Sequence, residues 1–161
     1  MRTPTVGQYM TPSPHSIAVD RTLADAHKIM RQFKIRHLPV LEGGRLVGVV
    51  SERDLHLVET LKDVNPSKVE VEDAMSPDPF VVTPDTPLQD VLVTMWRKKY
   101  GSAVVQEGRE IVGVFTTIDA LRVLITLLAR QEPKRRAPAR RAAKKTVQTA
   151  RAAKSSRVRS R

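Results

Sequence analysis

Apolar residues recur every three to four positions in two stretches of the chain, Leu23, Ala26, Met30, Phe33 and Leu88, Val91, Leu92, Met95, Trp96. That spacing gathers them on one side of a 3.6-residue turn, so each stretch is read as an amphipathic helix with Met30, Phe33, Met95 and Trp96 in the core. Pro87 fits the first turn of the second helix, where a missing amide costs nothing. Downstream the period changes. Residues 38–41 and 103–106 are short apolar runs, turns follow on Gly43-Gly44 and Gly108-Arg109, and residues 46–50 and 111–115 are rich in β-branched side chains. These read as two hairpins. A short extended lead-in, residues 16–19 or 80–83, precedes each first helix, and a last helix follows each second strand directly.

The two halves are the same pattern written twice. A shift of 65 residues without a gap places Met10 on Met75, Pro12 on Pro77, Asp20 on Asp85, Leu23 on Leu88, Met30 on Met95, Val47-Gly48-Val49 on Val112-Gly113-Val114 and Asp54 on Asp119. A repeat of this period is one supersecondary unit that buries its apolar side against its copy. The expected fold is α/β: two β-α-β-β-α units, residues 4–65 and 69–130, packed with pseudo-two-fold symmetry.

Charge separates a third segment. Residues 133–161 hold 12 of the 28 Lys and Arg residues and no acid, whereas residues 1–132 hold 16 basic and all 17 acidic side chains, so a net charge of +12 sits beyond a body of −1. With Val147 and Val158 as its large apolar residues, the tail cannot offset ordering entropy and is expected to be disordered. The absence of Cys excludes disulfides, zinc fingers and a thiol nucleophile. No apolar leader follows Met1 and no stretch is apolar enough to span a bilayer, so a soluble cytoplasmic protein is expected, without membrane contact.

Three motifs carry a family resemblance: Met-Thr-Pro at 10–12 with Met-Ser-Pro at 75–77, His37-Leu38-Pro39-Val40, and Gly-h-h-Ser/Thr-x-x-Asp (h apolar) at 48–54 and again at 113–119. Over about residues 4–128 the chain resembles a tandem CBS domain pair, or Bateman module. The resemblance implies a regulatory module that binds adenosine-containing ligands (AMP, ADP, ATP or S-adenosylmethionine) in clefts between the repeats and assembles as a homodimer through its helices. It implies ribose or phosphate contacts for Ser51, Asp54, Thr116 and Asp119. It also places Ile17, His37 and Leu38, with Val82, Ser102 and Ala103, around the adenine.

The residues themselves support such a site. A strand that ends in a hydroxyl and opens a helix presents backbone amides and the positive end of a helix dipole to an anion. An Asp three positions on has two acceptor oxygens for a ribose. Arg53 adds a planar donor fork for phosphate, and Ile118 stands in its place in the second copy, so the Asp54 site is expected to be the better phosphate binder. The same Ser/Thr-x-x-Asp pattern is also a helix capping box. His37 can equally be a structural residue before a core strand. His15, His27 and His56 lack metal-ligand spacing or a nearby nucleophile and read as solvent-facing, so no metal site and no catalytic residue is expected.

The last helix, with Ala120, Leu121, Val123, Leu124, Ile125, Leu127 and Leu128, is apolar around most of its circumference, which points to burial on two sides, at a dimer interface or against the helix of Leu55, Val58 and Leu61. The basic tail, with Lys134, Arg135, Arg136, Arg140, Arg141, Lys144 and Lys145, resembles linker-histone tails in composition and suits non-specific nucleic acid or another polyanion, and with it a place on the nucleoid. Two functions fit: a nucleotide sensor with a polyanion-binding tail, or a ligand-free dimerisation scaffold presenting that tail. An enzyme is not expected, because neither a phosphate-binding Gly-Lys loop nor a nucleophile with its base is found.

Overall fold

A computed structural model describes residues 3–131. The tail positions named above, Lys134, Arg135, Arg136, Arg140, Arg141, Lys144 and Lys145, lie outside the described residues. Residues 1–125 form one compact unit, to which the fold below belongs, and its last helix continues to Gln131. Eight strands and four α-helices succeed one another as β1 (Thr11–Pro12), β2 (Ile17–Ala18), α1 (Leu23–Phe33), β3 (His37–Glu42), β4 (Arg45–Ser51), α2 (Glu52–Glu59), β5 (Ser76–Pro77), β6 (Val81–Val82), α3 (Leu88–Lys98), β7 (Ser102–Glu107), β8 (Glu110–Thr116) and α4 (Thr117–Gln131). Both β-α-β-β-α units are therefore present, with elements within a residue or two of their expected bounds.

Each unit forms a four-stranded mixed sheet. The first runs β2-β3-β4-β5 and the second β1-β8-β7-β6. Within each, the lead-in strand lies parallel to the first hairpin strand (Ile17 beside Val40, Val81 beside Val104), with the helix as the crossover. The hairpins share even their irregularity, a register shift at Val40/Leu41 and at Val105/Gln106. Gly43 and Gly44 turn the first hairpin at φ of 53° and 77°, a conformation that costs a side chain energy and glycine none.

The outer strands are exchanged between the units. β1, from the head of the first repeat, pairs antiparallel with β8, and β5, from the head of the second, pairs with β4. β1 and β5, two residues each, carry no periodicity, and the sequence pattern did not anticipate them. The exchange explains why the Met-x-Pro and Gly-h-h motifs occur together. A Cβ on Gly48 would stand 2.6 Å from the Met75 sulfur and 2.9 Å from the Ser76 carbonyl, and one on Gly113 would collide with Met10. Each glycine is the floor on which the other repeat's methionine lies.

Two apolar cores result. Ile17, Leu23, Ala26, Met30, Leu38, Val40, Val50, Leu55 and Val71 fill one, and Val6, Val82, Leu88, Val91, Met95, Ala103, Val105, Phe115 and Val123 the other. Val6 and Val71 follow the strand exchange: each belongs to the core of the opposite repeat. Helical spacing correctly assigned Met30 and Met95 to the core, at 2% and 5% exposure, but not Phe33 and Trp96, at 42% and 69%. Both sit at the last turn of their helices, where the apolar stripe runs out past the sheet. Pro87 is the residue before α3 rather than within its first turn, and its carbonyl accepts the amides of Asp90 and Val91.

On α4 the alternative of packing within the chain against the helix of Leu55, Val58 and Leu61 is corrected. Val123 is buried, while Leu121, Leu124 and Ile125 are half to two-thirds exposed, as are Leu127 and Leu128. No helix among the described residues is long and apolar enough to cross a membrane.

Candidate functional site

The hairpins deliver their last residue to a helix start, and both starts are built alike. Ser51 caps α2: its hydroxyl accepts the Asp54 amide at 3.2 Å, and Asp54 Oδ2 accepts both the Ser51 amide at 2.8 Å and its hydroxyl at 2.6 Å. Thr116 and Asp119 repeat the arrangement at α4, at 3.4, 2.8 and 2.8 Å. The capping box is thus formed in both copies. It consumes one oxygen of each aspartate and leaves the other to be decided by its surroundings.

Those surroundings differ. Asp54 is half-buried, and its Oδ1 accepts no hydrogen bond among the described residues. Asp119 is 3% exposed, and its Oδ1 accepts the Arg122 guanidinium at 2.8 Å and the Thr11 hydroxyl at 3.4 Å. In the first unit's register Leu57 occupies the position of Arg122, so this plug cannot form at Asp54. The two carboxylates share a motif but not an availability.

Each aspartate opens onto a cleft walled by both repeats. The Asp54 cleft, about 460 Å³, takes Ser51, Glu52, Arg53 and Asp54 from the start of α2, and Lys99, Tyr100, Gly101 and Ser102 from the approach to β7. Arg36 and His37 close it. The Asp119 cleft, about 420 Å³, is lined instead by Lys34, Ile35, Arg36 and His37, by Thr116, Ile118, Asp119 and Arg122, and by the segment Thr11 to His15. His15 stacks on the exposed Phe33 there, ring centroids 3.5 Å apart. Lys34 and Lys99 end their helices in the left-handed conformation, at φ of 54° and 62°, and this turn carries residues 34–37 and 99–102 back toward the opposite repeat.

Positive charge reaches the Asp54 cleft from three directions, through Arg36, Arg53 and Lys99. The backbone contributes less than a bare helix terminus would. The Ser51 and Asp54 amides are spent in the capping box, and the Glu52 amide donates to the Arg36 carbonyl at 3.0 Å, as the Thr117 amide does to Gly101 at 3.2 Å. The helix starts therefore offer fewer amides than expected, and the guanidinium and ammonium groups carry most of the attraction for an anion. His37 lies against Gly101, whose Cβ would come within 2.8 Å of its Nε2. Burial, and then the neighbouring Arg36, hold the His37 pKa below its ordinary 6.5, with Asp54 opposing, so the ring is neutral at neutral pH.

Of the residues singled out in sequence, the folded chain brings Ser51, Arg53, Asp54, His37 and Ser102 to the first cleft and Thr116, Asp119 and His37 to the second. Ile17, Leu38, Val82 and Ala103 are core residues that line neither. Arg36, Lys99, Tyr100 and Arg122 were missed. The repeat register held the signal, since positions 34–37 and 99–102 are equivalent and precede the strands that face the opposite helix start. One further correction concerns His27. Sequence spacing gave no ligand set, yet His27, His56 and Glu59 bring one donor atom each within 4.8 Å of one another, and His27 is half-buried rather than solvent-facing.

This geometry has known counterparts. The uncharacterized protein MJ0188 of Methanocaldococcus jannaschii is 33% identical over 118 residues, 73% of this chain and 43% of that protein, so the chain spans less than half of its relative. AcuB of Vibrio cholerae shares the fold at a TM-score of 0.71 and 29% identity, over 82% of this chain and 100% of that one. CBSX2 of Arabidopsis thaliana, in a structure with AMP, does so at a TM-score of 0.67 and 26% identity, over 77% and 98%. The family model of the CBS domain matches twice, at residues 6–58 and 71–126. The chain belongs to the CBS domain family, as a tandem pair of CBS domains.

Proposed function

We propose that this CBS pair is a regulatory, non-catalytic module that binds an adenosine-containing ligand of the AMP, ADP, ATP or S-adenosylmethionine type, and that the Asp54 cleft is its working site. The observation that carries the reading is the unengaged Oδ1 of Asp54 in a 460 Å³ cleft with three cationic side chains, beside an Asp119 whose carboxylate is saturated. Asp54 would accept a ribose hydroxyl while Arg36, Arg53 and Lys99 face phosphate. The AMP complex of CBSX2, at 26% identity, supports the ligand class.

Two finer elements complete the proposal. The exposed Leu121, Leu124 and Ile125 of α4 support a homodimer through this helix. The twelve cationic residues of positions 133–161 support a polyanion partner, non-specific nucleic acid first. A ligand-free scaffold is the rival, favoured by the completeness of both capping boxes. Thermal unfolding against AMP, ADP, ATP and S-adenosylmethionine decides between them. Ligand at 100 times its dissociation constant adds about 2.7 kcal/mol, a shift of several degrees in midpoint, and no shift with any of the four would establish the scaffold.

A further inference from the structure

We propose that His27, His56 and Glu59 form a binding site for an exchangeable borderline divalent cation, zinc first, clamping α1 to α2 in the first repeat and distinct from both clefts. His27 lies on α1 and the other two on α2, at the i, i+3 spacing by which a helix presents two ligands to one side. The two helices pack on each other, and the donor atoms of all three residues fall within 4.8 Å.

The geometry is close to what a metal requires. Ligands about 2.0–2.2 Å from a tetrahedral zinc lie roughly 3.4 Å from one another. His27 Nε2 and Glu59 Oε1 are 2.8 Å apart and would separate by about half an ångström to admit the ion between them. The His56 ring centroid is 5.2 Å from that of His27. His56 is exposed, and rotation of its side chain supplies the remaining movement.

Donor chemistry selects the class of ion. Two imidazoles and one carboxylate suit zinc and its neighbours, whereas calcium and magnesium prefer all-oxygen sites. Three protein ligands leave a fourth position, which at the exposed His56 edge opens to water, so the ion would exchange rather than be sealed in.

The fold does not demand these residues. In the 65-residue register their positions in the second repeat are Leu92, Leu121 and Leu124. An apolar trio serves there, so the polar trio of the first repeat is a property of that copy alone. An isolated His27–Glu59 hydrogen bond would explain two of the three residues; it leaves His56 unexplained.

The test is titration of the tag-free full chain, first stripped with a chelator, with Co²⁺ followed by Zn²⁺. Positions 133–161 contain no His, Asp or Glu, and the chain has no Cys, so the tail offers no competing side-chain ligand. One equivalent of Co²⁺ is expected to give visible d–d bands that Zn²⁺ abolishes. His56→Ala and Glu59→Gln should each weaken binding about tenfold or more while far-UV circular dichroism is retained, and His15→Ala, in the Asp119 cleft, should leave binding unchanged. No stoichiometric Co²⁺ spectrum from folded wild-type protein, or undiminished binding by folded His56→Ala, would overturn the proposal.

Discussion

Replacing Asp119 by alanine should destabilise the protein far more than the same change at Asp54, although the two occupy one motif. Asp119 is 3% exposed and has four hydrogen bonds on its two oxygens, from the Thr116 amide and hydroxyl, Arg122 and Thr11. Thr116 still caps the amide of residue 119, but its hydroxyl loses the acceptor it has on Asp119, a hydrogen bond worth about 1 kcal/mol. The Thr116 amide, left without its partner beside a buried position, adds about 1–2 kcal/mol. Arg122 is 66% exposed and returns to water, so its ion pair contributes less than about 1 kcal/mol. The total is near 3 kcal/mol. At Asp54 the same two bonds from the capping residue are lost, but water reaches the half-buried site and replaces them, and the cost stays at about 1 kcal/mol. With a urea m-value of about 1.5 kcal/mol/M, the midpoint falls by roughly 2 M for Asp119→Ala and 0.7 M for Asp54→Ala, at unchanged m. Far-UV circular dichroism is the suitable probe, because the single Trp96 is 69% exposed and reports poorly on the core. Equal midpoint shifts for the two variants would refute the assignment of Asp119 as the structural carboxylate.

Three further outcomes follow from the same structure. His37, with its folded pKa below 6.5, keeps its full contribution above pH 6.5 and loses it as pH falls from there toward the lowered value, because the unfolded chain then binds the proton more tightly. The stability of His37→Gln relative to wild type should therefore improve as pH drops below 6.5; a difference constant with pH would exclude this role. On the proposed homodimer, Leu124→Asp puts a charge on the exposed apolar side of α4 and should convert dimer to monomer in sedimentation, each leucine lost from the interface removing about 1.5–3 kcal/mol; a sedimentation coefficient equal to that of wild type would overturn the proposed interface. Binding of mixed-sequence DNA to the full chain should weaken with salt at a log–log slope of about −5, as about half of the twelve tail charges meeting phosphates gives, and replacing Arg135, Arg136, Arg140 and Arg141 by Gln should make it shallower by about 2; a slope unaffected by these changes would remove the tail from the interaction.

The elements that the sequence pattern located are chiefly those long enough to show a period, joined by the short lead-ins β2 and β6. Eleven-residue helices with Leu23, Ala26 and Met30 or Leu88, Val91 and Met95 on one side, and six- or seven-residue strands made of apolar and β-branched runs, could be placed to within a residue or two. What escaped depended on contacts between distant segments. β1 and β5 are two residues each, and nothing local says that each pairs with the other repeat's sheet. Asp54 and Asp119 look equivalent along the chain, and only the fold shows that Arg122, one turn beyond Asp119, saturates it. His27 is 29 positions from His56 and 32 from Glu59, so their meeting follows from the packing of α1 on α2 rather than from any spacing.

Calorimetric titration of AMP into wild type, Asp54→Ala and Asp119→Ala, side by side at fixed ionic strength, measures directly which cleft works. A ribose hydroxyl on an ionised carboxylate is worth about 1.5–3 kcal/mol, so Asp54→Ala should weaken AMP roughly 10- to 150-fold, and Asp119→Ala should leave its affinity within about twofold of wild type. Equal losses from both changes, or a loss confined to Asp119→Ala, would contradict an open site at Asp54 and a closed one at Asp119.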